Sequence, residues 1–207
     1  MVNIMTIKKK AGRPRLVSED ILAEALFQIF ACKGYANTSI NDLTLATGMK
    51  PASLYLAYGN KPGMYAAAME YYRKTWLSGL VEILSDERIP FEQRMRKFLH
   101  AAFELFSCDG KPAGCMMTFS ALAFQNDKEG LAGQLSNERQ AFTEWMEKEA
   151  EKAQQAGELP ADITPQEFAC FVVTLEKGLA LGALDKPVPE VISAMIDRVM
   201  TRMFAKI

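Results

Sequence analysis

The residues with the most chemical content lie between Thr38 and Lys61. Ser39 with Asp42 three residues on has the spacing of a helix-capping box in an aspartate variant, so a helix starts there. Ile40, Leu43 and Ala46 give that helix an inner face, and Thr47-Gly48-Met49 supplies a turn in which glycine takes a left-handed backbone at little steric cost. Lys50-Pro51 opens another helix, with proline in the first turn where its missing amide proton costs nothing. Ala52 and Ser53 are small and sit at that helix's N-terminal end, while Leu54 points inward. Tyr55 and Tyr58 lie on its flank, where a ring packs on the protein and a hydroxyl reaches a phosphate; Tyr58 also fits a core position. Asn60 caps a further helix and Lys61 follows at once, so free amide protons and an ammonium converge on one anion-sized place. This is recognition chemistry with no bond making: a helix end offered to base edges, flanked by groups for phosphates. Short helix pairs with a glycine turn also occur in helical proteins of other kinds, but the capped starts and the charge pattern point to duplex DNA.

In front of this unit stands a cationic tail, Lys8-Lys9-Lys10 with Gly12-Arg13-Pro14-Arg15, in which Arg13 and Arg15 suit the DNA backbone or an adjacent minor groove. The formal net charge of -1 over 207 residues hides a segregation. Through residue 62 there are eight Lys or Arg against four Asp or Glu, and beyond it sixteen against twenty-one. Only the front of the chain is built to meet a polyanion.

Apolar residues recur at three and four throughout, and breaks fall where glycine and proline cluster, so the fold class is all-α with about nine helices. The first, about 19 to 33, is capped by Ser18, carries Glu19 and Asp20 in its first turn and closes at Lys33-Gly34. The others are expected at about 40 to 46, 51 to 58, 62 to 84, 91 to 107, 115 to 124, 128 to 156, 165 to 184 and 189 to 205. The organisation is a flexible basic arm (1–17), an N-terminal three-helix helix-turn-helix DNA-binding domain (18–62) and a larger helical ligand-binding and dimerisation domain (63–207). The last two helices, joined by a short connection, should pack antiparallel.

Residues 18 to 72 resemble the N-terminal domain of the tetracycline-repressor (TetR) family of bacterial transcription regulators. The resemblance is carried by Gly34-Tyr35, Thr38-Ser39-Ile40, Leu43, Gly48-Met49, Ser53-Leu54-Tyr55, Tyr58 and Asn60-Lys61. It implies a two-domain homodimer that binds a palindromic double-stranded operator and releases it when a small molecule occupies the C-terminal domain. It also implies phosphate contacts from Thr38, Ser39, Tyr55 and Lys61, with Lys50, Pro51, Ala52 and Ser53 facing bases. Thr44, where alanine is common, Ala57, where histidine is common, and the large charged Lys50 depart from the family pattern, so no operator sequence carries over.

Beyond residue 75 no motif is as specific. Phe103, Cys115, Met116, Phe119, Phe142 and Trp145 suit either an adaptable apolar pocket or a plain core, and His100 either a polar ligand anchor or a structural histidine. Cys115, next to a helix start that lowers a thiol's pKa, raises the alternative of a redox- or electrophile-sensing regulator switched at Cys115 or Cys108; a buried structural cysteine fits the same position. The final two helices are apolar on more than one side, which predicts a two-fold four-helix homodimer interface. A helical enzyme is the third reading. One histidine excludes multi-histidine metal sites, and no phosphate loop, nucleophile elbow or zinc motif is present, so no metal or cofactor is expected. No export signal or membrane-length apolar run is evident, and four scattered cysteines fit reduced thiols, so a cytoplasmic location without membrane contact is expected.

Overall fold

A computed structural model describes residues 18–108, 112–124 and 130–205. Among them the chain is helical, with no strand. The front unit is α1 (Glu19–Asn37), α2 (Ile40–Thr47), α3 (Pro51–Tyr58) and α4 (Lys61–Tyr72). The rear carries α5 (Ser78–Ser85), α6 (Phe91–Ser107), α7 (Met116–Ala123), α8 (Leu131–Gln155), α9 (Pro165–Gly182) and α10 (Pro189–Met203). A five-residue π-helical turn, Arg73–Leu77, joins α4 to α5 without a break. These two and the turn form one rod, as the periodicity of 62 to 84 predicts.

Local chemistry sets the ends. Ser18 Oγ accepts from the Ile21 amide, and Glu19 and Asp20 complement the positive end of the α1 dipole. Gly34 (φ 73, ψ 163) breaks the regular helix, and three residues later the chain turns into α2. Leu26, Phe27 and Phe30 of α1 close with Leu43, Leu54 and the α4 residues Met64, Tyr65, Ala68 and Met69 into one fully buried core. α4 is therefore both the back wall of the front unit and the beginning of the rod that runs into the rear.

In the rear, α6 is central: α5, α9 and α10 all pack on it, and α8 packs along α9. Phe91 at the start of α6 meets Phe168 of α9, and both meet Phe204 just past α10. The expected antiparallel pairing of the last two helices is not the main contact. Their apolar faces are wide enough to be satisfied separately, α9 between α6 and α8 and α10 on α6. Arg94 of α6 is buried over the Phe91 ring, donates to the Leu84 carbonyl at 2.9 Å and meets Glu149 of α8 at 3.3 Å. That single guanidinium ties the end of α5, α6 and α8 together.

Candidate nucleic-acid interface and effector cavities

The reading head begins at Ser39. Its Oγ accepts from the Asp42 amide at 3.1 Å, and its own amide donates to Asp42 Oδ2 at 2.9 Å. Lys33 Nζ stands 2.6 Å from Asp42 Oδ1, and these partners hold the Asp42 carboxyl well below the usual carboxylate range. The start of α2 is thereby fixed to the end of α1. Gly48 closes α2 in the left-handed region (φ 68), donating to the Thr44 carbonyl at 2.9 Å. Lys50 is the N-cap of α3 without a side-chain cap bond, and Pro51 follows at its first position. Lys50, Pro51, Ala52 and Ser53 are all exposed, while Leu54 directly behind them is completely buried. One residue thus anchors the helix and four present its N-terminal end outward.

The expected phosphate groups fall into two sets. Ser39, Tyr55 and Asn60 are exposed, with Asn60 Oδ1 accepting from the Gly63 amide at 2.8 Å to cap α4. Thr38 is 1% exposed and its hydroxyl donates to the Gly34 carbonyl at 2.7 Å, so it closes the turn between α1 and α2 instead of facing out. Tyr58 is half-buried, its hydroxyl held up from the usual tyrosine range by burial and by the nearby Glu19. Lys61 lies with its ammonium 4.4 Å from the centre of the Tyr35 ring, and burial lowers its pKa. Arg13 and Arg15 lie outside the described residues. The sequence reading missed Leu56 and Leu45, which are 90% and 75% exposed on α3 and α2. A large apolar side chain on the outer face of a recognition helix was the available signal.

Two cavities lie along the rod, one against α4 and one against the π turn and α5. The front one, about 290 Å³, lies between α1, α4, residues 112–114 and α7, and its walls include Phe30, Tyr35, Tyr65, Tyr72, Met116 and Phe119. The rear one, about 220 Å³, is enclosed by the π turn, α5, α6, α7, α8 and α9. Cys115 and Phe142 belong to the rear wall, whereas Met116 and Phe119 belong to the front one. Tyr72 lines the front cavity and turns its hydroxyl towards Cys115 and Glu176 of the rear one, so it stands in the partition. Phe103 is core, and Trp145 stacks on Phe142 from outside the cavity.

His100 is hydrogen-bonded to another helix. Its Nε2 lies 2.9 Å from Asp197 Oδ1 of α10, beside Arg96, which reaches the same oxygen at 3.0 Å. It braces α6 against α10 on the outer side of the helix. Cys115 is buried, and burial and the nearby Glu176 push its thiol up. Charged groups missed from the sequence complete the rear cavity. Arg73 of the π turn pairs with Glu70 and with Glu138 of α8, Arg139 donates to Ser120 Oγ at 2.6 Å, and desolvation pushes the Glu176 carboxyl up to about 7.

An exposed, proline-started helix held behind a capped one is the arrangement of a DNA-binding regulator. Two family models agree: "Bacterial regulatory proteins, tetR family" matches residues 21–68, and "Tetracyclin repressor-like, C-terminal domain" matches residues 92–187. The chain belongs to the TetR family of transcriptional regulators and is not an enzyme. Among its relatives, the HTH-type transcriptional repressor ComR of Escherichia coli is 25% identical over 86% of this chain and 84% of its own. The E. coli repressor BdcR is 33% identical over 55% of this chain and 58% of its own. A cysteine-substituted form of the TetR-family regulator CifR, solved on a 26-base-pair double-stranded operator, superposes with a TM-score of 0.81 at 26% identity, covering 91% of this chain and 98% of that one.

Proposed function

We propose that the protein is a ligand-responsive repressor: a homodimer that binds a palindromic operator and lets it go when a small molecule occupies the rear domain. The observation that carries this reading is the outward presentation of Lys50 to Ser53 at the start of α3, over the buried anchor Leu54. Those four residues meet base edges in the major groove. Ser39, Tyr55, Asn60 and Lys61 meet phosphates on either side, and Arg13 and Arg15 of the arm add charge. Thr38 and Tyr58 serve by holding the turn and the flank. The operator complex of CifR supports the same mode of docking.

In domain terms, residues 18–62 read the DNA and residues 63–207 sense and dimerise. Leu181, Leu184, Val188 and Val191, all about half exposed or more, form an apolar strip across the end of α9 and the start of α10, and a second copy covers it. The rod of α4, the π turn and α5 has the cavities on its flanks. A ligand that favours one rod position over the other changes the spacing of the two recognition helices. Such a regulator works in the cytoplasm; among the described residues no helix is long and apolar enough to cross a membrane.

The test is fluorescence anisotropy on a duplex enriched from a random pool by the wild-type protein. Tyr55→Phe and Lys61→Ala should each weaken binding about tenfold at moderate salt, the loss of one charge-assisted hydrogen bond of about 1.5 kcal/mol. Unchanged affinity in both variants would place the reading head elsewhere.

A further inference from the structure

The rear cavity names a ligand class, and its regulatory consequence rests on the repressor reading above. Its wall is mainly apolar, with Leu77, Leu80, Leu84, Phe98, Phe142 and Val173. At about 220 Å³ it is smaller than the roughly 300 Å³ at which drug-sized sites begin. Arg73 on that wall is paired with Glu70 and Glu138, and Arg139 donates to the Ser120 hydroxyl. Among the described residues, the Glu176 side chain makes no hydrogen bond and no ion pair. A carboxylate placed against such a surface loses hydration that nothing on the protein returns.

We propose that this cavity takes a small organic cation, an ammonium or amidinium on a compact apolar body, with its charge seated on the Glu176 carboxylate. An anion seated against Glu176 is repelled by that carboxylate, and the guanidinium on the wall without an ion pair among the described residues, Arg139, is turned to Ser120 of α7. A neutral hydrocarbon fills the space and leaves Glu176 unmatched. The cation fills the apolar volume and restores the lost partner. Its body rests on the π turn Arg73–Leu77, the part of the α4–α5 rod that forms one wall. π turns inside α-helices are frequent at functional sites. The groups facing Glu176 are Tyr72 from α4, Arg73 from the π turn, Cys115 at the head of α7, and Glu138 and Arg139 from α8, with Lys177 next to it on α9. The carboxyl, pushed up to about 7, is the one that titrates in the neutral range, so cation binding strengthens as pH rises through that value.

Isothermal calorimetry with three matched probes, phenylpropylamine, phenylpropanol and phenylpropanoate, tests this on the full-length protein. The amine should bind at least tenfold tighter than the alcohol at pH 8 and about tenfold more weakly at pH 6 than at pH 8, with no binding of the carboxylate. Glu176→Gln should reduce the amine to the level of the alcohol and flatten its pH dependence. Wild-type titrations at pH 7 in two buffers of different ionisation enthalpy should show release of about half a proton per amine bound, a reading that needs no variant. Equal binding of amine and alcohol, preferred binding of the carboxylate, an unchanged Glu176→Gln protein, or no proton release overturns the proposal. Operator binding by the same preparations judges the repressor reading separately: intact DNA binding with no amine preference removes the cation and leaves the regulator.

Discussion

Glu176 lies in the stretch Phe171 to Gly182, where its neighbours are mostly apolar and its carboxyl is pushed up to about 7 by desolvation. A carboxyl whose folded pKa is raised binds more protons folded than unfolded between about 4.5 and 7, so its contribution to stability falls as pH rises through that window. Glu176→Gln should therefore gain stability relative to the wild type between those pH values, by up to about 3 kcal/mol, and show no relative change above them. Chemical denaturation across pH measures it; a difference independent of pH contradicts the account of a part-buried, desolvated carboxyl. Gly48, at φ 68, gives a second residue-scale expectation: Gly48→Ala should cost about 1 kcal/mol and tilt α3, seen as a lowered thermal midpoint together with weaker DNA binding. Ser39, Asp42, Gly48, Pro51 and Asn60 were legible in the sequence because caps and turns act over three or four residues. Glu176 and His100 were not, because whether a polar side chain on a helix meets a cavity, a partner or water depends on which other helix approaches. The lone glutamate within Phe171 to Leu179 was the one local hint.

At the scale of elements, the starts of α1, α2, α3, α4, α6, α9 and α10 were readable for the same reason, since each carries Ser, Thr, Asn or Pro at its N-cap or first position. Packing partners were less so. An apolar face says that a helix is covered, not by what: α9 settles on α8 and α6, and α10 on α6, instead of mainly on one another. A buried polar tie between elements is Arg94 with Glu149. Glu149→Ala strands a buried guanidinium and should lower stability by about 3 kcal/mol or more, whereas the double change Arg94→Met with Glu149→Leu should recover most of it. Denaturant midpoints of the three variants decide this, and a double variant as weak as the single one would contradict it. The π turn is the other inter-element device. Arg73 joins it to Glu138 of α8. Arg73→Ala should leave operator affinity without effector within about twofold and reduce the effect of a bound ligand on that affinity, because the rod then moves without dragging α8.

For the whole molecule, an overall charge near zero conceals a cationic front and an anionic rear, a division that a composition summary erases and a residue-by-residue pass recovers. It suits a protein that must hold DNA at one end and keep the other clear of it. Two heads are needed for a palindrome, and the pairing surface proposed above is the exposed strip Leu181, Leu184, Val188 and Val191. Light scattering should report a dimer at micromolar concentration, and Leu181→Glu with Val191→Glu should shift it to monomer and abolish tight operator binding together. The most direct single measurement is selection of duplexes from a random pool by the purified full-length protein, followed by competition of the winners against unselected DNA at moderate salt. The account predicts an inverted repeat with half-site centres about one helical turn apart or a multiple of it, retained at least a hundredfold better than the competitor. Recovery of no enriched sequence, or of one with no internal symmetry, would contradict it.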